Sequence, residues 1–99
     1  MLQITKQIQD NTITYLMDGR LDTNTAPQLE EDLQSVPIQS TLVLDLAKLA
    51  YISSAGLRVL LSAQKRMKGI GGMKLIHVVE DVMEIFEVTG FCDILDIEQ

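Results

Sequence analysis

The chain has 99 residues, 46% of them hydrophobic and 22% charged, and a formal net charge of -6. A chain of that size holds one domain, and its apolar content is too high and too evenly spread for disorder. The acidic balance excludes broad docking on nucleic acid or anionic membranes, and the one local basic run is Lys65, Arg66 and Lys68.

Residues 2–9 alternate loosely through Leu2, Ile4 and Ile8, which predicts a strand. Asp10 and Asn11 are a turn signal. Residues 12–17 predict a second strand with Ile13, Tyr15 and Met17 on one face, ended by Gly19. The two form an expected antiparallel hairpin. A loop over Leu21, Asp22, Thr23 and Asn24 follows. Thr25 and Gln28 have the spacing of a capping box, with Pro27 in the first turn. The helix they open runs to about Ser35, with Ala26, Leu29, Leu33 and Val36 as its apolar stripe, and Pro37 stops it.

Residues 41–46 read as a central strand, nearly continuous and apolar except at Asp45. A second helix is expected from near Ser54 to about Lys68. Leu57, Leu60, Leu61, Gln64 and Met67 define its face, Val59 and Ala63 widen it, and Gly69 ends it. Gly71 and Gly72 turn the chain into a strand over residues 73–78. Asp81 is the expected cap of a third helix carrying Val82, Ile85, Phe86 and Thr89 inward, closed by Gly90. A short extended piece lies within residues 91–97. The order β-β-α-β-α-β-α-β predicts parallel pairing through right-handed crossovers in its later units. Strand ends and helix starts then share one edge, where such sheets bind ligands and partners. Asp22, Thr23 and Asn24 meet Ser53 and Ser54 there.

Enzymatic patterns are absent: neither a P-loop nor a dinucleotide fingerprint occurs. His77, the sole histidine, is expected to be partly buried and structural. Asp22 and Asp45 could approach as a carboxylate pair, but so short a chain can hardly enclose a sugar cleft. No metal-loop spacing is found. Cys92 has no intrachain disulfide partner and is expected as a buried thiol. No signal-peptide pattern opens the chain and no apolar run approaches a membrane span of about 18 residues. Cytoplasmic residence without membrane insertion is therefore expected.

Ser53 and Ser54, followed by Ala55 and Gly56, lie between a strong strand and a strong helix. A serine there can cap the helix, and the same place can hold a phosphate, because its N–H groups and dipole favour anions. Gly56 is costly in a first turn, about 1 kcal/mol relative to alanine, so close approach by the chain itself or by a partner is the expected reason. Arg58 lies off the apolar stripe, as a solvated residue or as a pair for a partner carboxylate.

Together these marks resemble the STAS domain, the fold of the anti-sigma factor antagonists. They are Gly19-Arg20-Leu21-Asp22 with Thr25-Ala26, then Asp45-Leu46 and Ile52-Ser53-Ser54-Ala55-Gly56-Leu57, then Gly72-Met73-Lys74-Leu75 and residues 86–91. The resemblance spans nearly the whole chain. It implies a mixed four- to five-stranded sheet with helices mainly on one face, in a single domain over residues 1–99. It also implies a partner switch and not an enzyme. The unphosphorylated protein binds an anti-sigma factor that is a serine protein kinase, is phosphorylated with ATP and released, and is reset by a metal-dependent serine/threonine phosphatase. Ser54 matches the family's phosphorylated serine, Asp22 an acidic loop residue, and Ser53 a position commonly held by aspartate. The implied partner surface is Asp22, Thr23, Asn24, Tyr51, Ser53, Ser54, Gly56 and Arg58, with no cofactor; a monomer is expected because no helix pattern shows a second large apolar face. Two other roles stay open: a STAS module in a non-transcriptional switch, and a STAS subunit of a membrane lipid ABC transporter.

Overall fold

A computed structural model describes residues 2–37, 39–68 and 71–98. Strands β1 (Leu2–Gln9) and β2 (Thr12–Leu21) form the expected hairpin. They are followed by α1 (Ala26–Gln34), β3 (Thr41–Ile52), α2 (Ser54–Met67), β4 (Met73–Ile76), α3 (Glu80–Thr89) and β5 (Ile97–Glu98). A 3-10 turn over Phe91–Asp93 precedes β5, so the final extended piece is shorter than the sequence suggests. The expected stop at Gly69 lies outside the described residues.

The strands lie side by side in chain order, β1-β2-β3-β4-β5. Only β1 and β2 are antiparallel; the other three pairings are parallel. A sheet that grows in one direction through right-handed crossovers must place all its connecting helices on one face. That face holds the core. Ile13, Tyr15 and Met17 of β2, Leu42, Leu44 and Leu46 of β3, and Met73 and Leu75 of β4 all point into it and are buried. The helices cover them with Ala26, Leu29 and Leu33, with Leu57, Leu60 and Met67, and with Val82 and Phe86.

Strand β3 outruns its expected end at Leu46 by six residues, a difference that two register breaks explain. Leu16 lies opposite Asp45 and Asp18 opposite Lys48; then Gly19 faces Leu49 and Arg20 faces Tyr51. At each break β3 carries one extra residue, the signature of a bulge. Each bulge flips the side-chain alternation, so the buried series runs Leu44, Leu46, Leu49, Ile52. A period-two reading stops where the first bulge begins. Strand β2 likewise continues to Leu21, through Gly19 at a φ of +124°.

The helix starts also differ in detail from the sequence pattern. Thr25 does not cap α1 with its side chain, and Val79, not Asp81, precedes the first residue of α3. Gly90 closes α3 at a φ of +80°, as expected. Thr89 is exposed, because its hydroxyl donates to the Ile85 carbonyl at 2.7 Å and so turns along its own helix. Cys92 is half-buried at the edge of the core.

Gly56 is buried where α2 meets the sheet. A Cβ added there would lie 2.8 Å from Leu21 Cγ, 2.9 Å from Ile52 Cγ1 and 3.0 Å from the Leu21 carbonyl oxygen. The close approach is therefore made by the chain itself. Alanine improves helix propensity by about 1 kcal/mol at such a site, but here the collision includes backbone. Gly56→Ala is expected to destabilise the protein by about 1–3 kcal/mol, the usual cost of overpacking. Urea unfolding monitored by circular dichroism measures it, and a more stable variant would contradict the packing argument.

Candidate functional site

The C-terminal ends of β2 and β3 deliver two loops to one edge of the molecule. The Ser53 amide donates to the Leu21 carbonyl at 2.9 Å and ties them together. The first loop is built by Asp22. Its Oδ1 accepts from the amides of Asn24 at 3.0 Å and Thr25 at 3.1 Å, an Asx turn. Its carbonyl accepts from the Ala26 amide at 2.8 Å, so the chain enters α1 from Asp22. Buried Thr25 locks the turn: its hydroxyl donates to the Arg20 carbonyl at 2.8 Å and accepts from the Asp22 amide at 2.9 Å. That use of its side chain explains why the expected capping box does not form.

At the second loop the two serines have different roles. Ser53 is the N-cap of α2, and its Oγ accepts from the Gly56 amide at 3.3 Å. Ser54 is the first helical residue and is exposed. Capping, one of the two readings of the serine pair in the sequence, falls to Ser53 and leaves the Ser54 side chain exposed. Aspartate is also a good N-cap, so serine at position 53 preserves the helix start while removing a charge from beside Ser54.

Thr23, Asn24, Tyr51 and Arg58 are exposed around Ser54, Asp22 and Ser53 are half-buried, and Gly56 is buried beneath. Arg20, which sequence reasoning did not select, also belongs to this edge. Its guanidinium lies 4.4 Å from the Tyr51 ring centroid and its Nε 3.9 Å from Asp22 Oδ2. The signal that could have found it is the continuation of β2 past Met17, which sets Arg20 opposite Tyr51. Between the starts of α1 and α2 lies an open depression of about 200 Å³, lined by Thr23, Ala26, Pro27, Glu30, Ala55, Arg58 and Val59.

Nothing in this arrangement resembles a catalytic centre. Asp45 lies opposite Leu16, whereas Leu21 lies opposite Ile52. Asp22 and Asp45 are thus separated by roughly 15 Å or more along the strands. His77 is exposed, contrary to the sequence expectation, because β4 ends at Ile76 and the chain turns through a φ of +55°. Its Nδ1 lies 3.1 Å from Asp45 Oδ2 on another part of the sheet. Among the described residues no group of three or more His, Cys, Asp or Glu could hold a metal, and no helix is long and apolar enough to cross a membrane.

The molecule is a five-stranded mixed sheet with helices on one face and an exposed serine where two tied loops meet. The STAS domain model matches residues 3–99. BtrV of Bordetella bronchiseptica, a protein assigned as an anti-sigma factor antagonist, is 34% identical over 99 residues, covering 97% of this chain and 85% of its own. The crystal structure of an anti-sigma factor antagonist from Mycobacterium paratuberculosis superposes with a TM-score of 0.87 at 21% identity, over 98% of this chain and 85% of that one. The phosphorylated form of the Bacillus cell fate determinant SpoIIAA has a TM-score of 0.70 at 15% identity, over 100% and 92%. The chain belongs to the STAS-domain family, among the anti-sigma factor antagonists.

Two predictions follow from the loop chemistry. Ser53→Ala removes the cap of α2 and should cost about 1 kcal/mol, read by urea unfolding, while Ser53→Asp keeps the cap and stays close to the parent. The Asp22 carboxyl titrates below its ordinary value of 3.8: desolvation opposes this, but the amides of Thr25 and Asn24 and the Thr25 hydroxyl together outweigh it. A depressed folded value means the turn's contribution is complete above the ordinary carboxylate value and lost as pH falls through the folded one. The deficit in thermal stability of Asp22→Ala should therefore be full near neutral pH and shrink in strong acid. A deficit that does not change with pH would contradict the turn's dependence on the carboxylate.

Proposed function

We propose that this protein is the phosphorylatable component of a partner switch and that Ser54 is the residue modified. The single observation that carries this reading is the division of labour at the start of α2. Ser53 supplies the cap, so the Ser54 hydroxyl is exposed and its modification removes no hydrogen bond that holds the helix. The unphosphorylated chain binds an anti-sigma factor that is a serine protein kinase. Ser54 Oγ forms a bond to the γ-phosphorus of ATP as the bond to ADP breaks, and its proton leaves to a base on the kinase. The product carries a charge of about -1.5 to -2 at the centre of the contact surface, which repels and desolvates an apposed acidic face. A metal-dependent serine/threonine phosphatase restores the hydroxyl.

Thr23, Asn24, Tyr51 and Arg58 surround that hydroxyl as contact residues. Asp22, Ser53 and Gly56 serve the surface by shaping the two loops. Exposed tyrosine and arginine are the residue types that most often dominate binding energy at such contacts. The role fits a cytoplasmic monomer, and the acidic net charge disfavours nucleic acid as a partner.

Incubation with candidate serine kinases and ATP, followed by mass-spectrometric mapping, tests the site. One phosphate at Ser54 that disappears in Ser54→Ala is the expected result; a phosphate on Ser53, or none with any kinase that binds the chain, would reject it. Ser54→Asp should weaken kinase binding by about tenfold or more while its circular dichroism spectrum stays that of the parent.

A further inference from the structure

Arg58 stands one helical turn beyond Ser54 on α2, in the i, i+4 relation that brings two side chains to one stretch of helix surface, with Cβ atoms about 5–6 Å apart. Both residues are exposed. Among the described residues Arg58 has no hydrogen bond or ion pair, whereas the other arginine of this edge is committed: Arg20 stacks on Tyr51 and lies beside Asp22. The remaining charges that face the area are acids. Glu30 of α1 lines the same depression as Arg58, and Asp22 lies in the loop tied to Ser53. The basic residues Lys65, Arg66 and Lys68 fall in the last turns of α2, at its other end. One uncommitted cation is thus placed within reach of Ser54 on its own helix.

Resting on the assignment of Ser54 as the modified residue, we propose that Arg58 is the intramolecular receptor for the Ser54 phosphate, and that their pairing withdraws from the partner a guanidinium that the unmodified chain presents. Arginine suits this role because its planar fork pairs with two phosphate oxygens and its charge is permanent. Modification then acts twice on the contact surface, adding negative charge and removing an available positive one. Glu30 lines the same depression, so when Arg58 turns to the phosphate this acid is left beside the added negative charge.

The pairing is testable whether or not a kinase modifies Ser54 in the cell. Phosphoserine is incorporated at position 54 of the full chain during synthesis, and the second ionisation of the phosphate, about 6 when unperturbed, is followed by phosphorus NMR. A nearby cation favours the dianion and lowers the midpoint. The helix start acts equally on every variant, so only the difference between them reports on Arg58. The midpoint in the parent should lie about half a pH unit below that in Arg58→Ala, a threefold change in the ionisation constant, and Arg58→Lys should fall between. The Arg58 Nε–H resonance should also move on phosphorylation. Equal midpoints in the parent and Arg58→Ala, with both proteins folded by circular dichroism, would overturn the proposal while leaving the assignment of Ser54 to its own kinase assay. With a binding kinase in hand, the loss of affinity caused by phosphate should be smaller in Arg58→Ala than in the parent; an equal loss would show that Arg58 is not withdrawn from the partner.

Discussion

The first turn of α2 sits so close to the ends of β2 and β3 that position 56 has no room for a Cβ. That contact organises the functional edge. It brings the Ser53 amide onto the Leu21 carbonyl, and so joins the loop that enters α1 to the loop that enters α2. It also sets the direction in which α2 leaves the sheet, with Leu57 and Leu60 buried and Ser54 and Arg58 facing out. A backbone this close needs glycine despite its unfavourable helix propensity, and the packing repays that loss in a rigid platform. The exposed serine is therefore carried two residues from a tightly packed contact.

Adjacent serines divide two demands that conflict at a single residue. A capping hydroxyl must stay on a backbone amide, and a phosphate acceptor must be free to enter another protein's active site. Ser53 holds the Gly56 amide, which leaves Ser54 exposed for the role proposed for it. On the other loop Thr25 and Asp22 spend their side chains on backbone groups. The exposed Thr23 and Asn24 are thereby held without using their own side chains for the purpose. Added charge at Ser54 then alters the electrostatics of a fixed shape.

The sheet's sequential order has a second consequence. With α1, α2 and α3 on one side, the other face of the sheet has no helical cover among the described residues, and Leu16, Val43 and Ile76 lie there only half-buried beside Thr5, Asp45 and Lys74. The alternation of buried and half-exposed positions in β2, β3 and β4 records this asymmetry directly. The buried core lies on the covered face, while the functional edge also draws on the other face through Arg20 and Tyr51.

The sequence by itself determined the order of elements, the hairpin, the apolar faces of α1 and α2 and the serine pair at a helix start. Each of these is a local pattern: alternation, three-four spacing, or a small polar residue before an apolar run. The family marks extended that reading to the phosphorylation proposed at Ser54. Where strands end, which serine caps, and how arginines are used were decided only by the tertiary structure. The two bulges in β3 destroy alternation because each inserts a residue whose effect is visible only against its neighbour β2. Thr25 has the sequence of a cap, but a carbonyl brought in from β2 offers its hydroxyl a better partner. His77 reads as a strand residue until the backbone turns at the strand end. Arg58 reads as an exposed helix residue from the local pattern, but the place of Arg20 follows only from strand pairing, which stacks it on Tyr51. Such differences depend on contacts between residues far apart in the chain, and no local pattern encodes them.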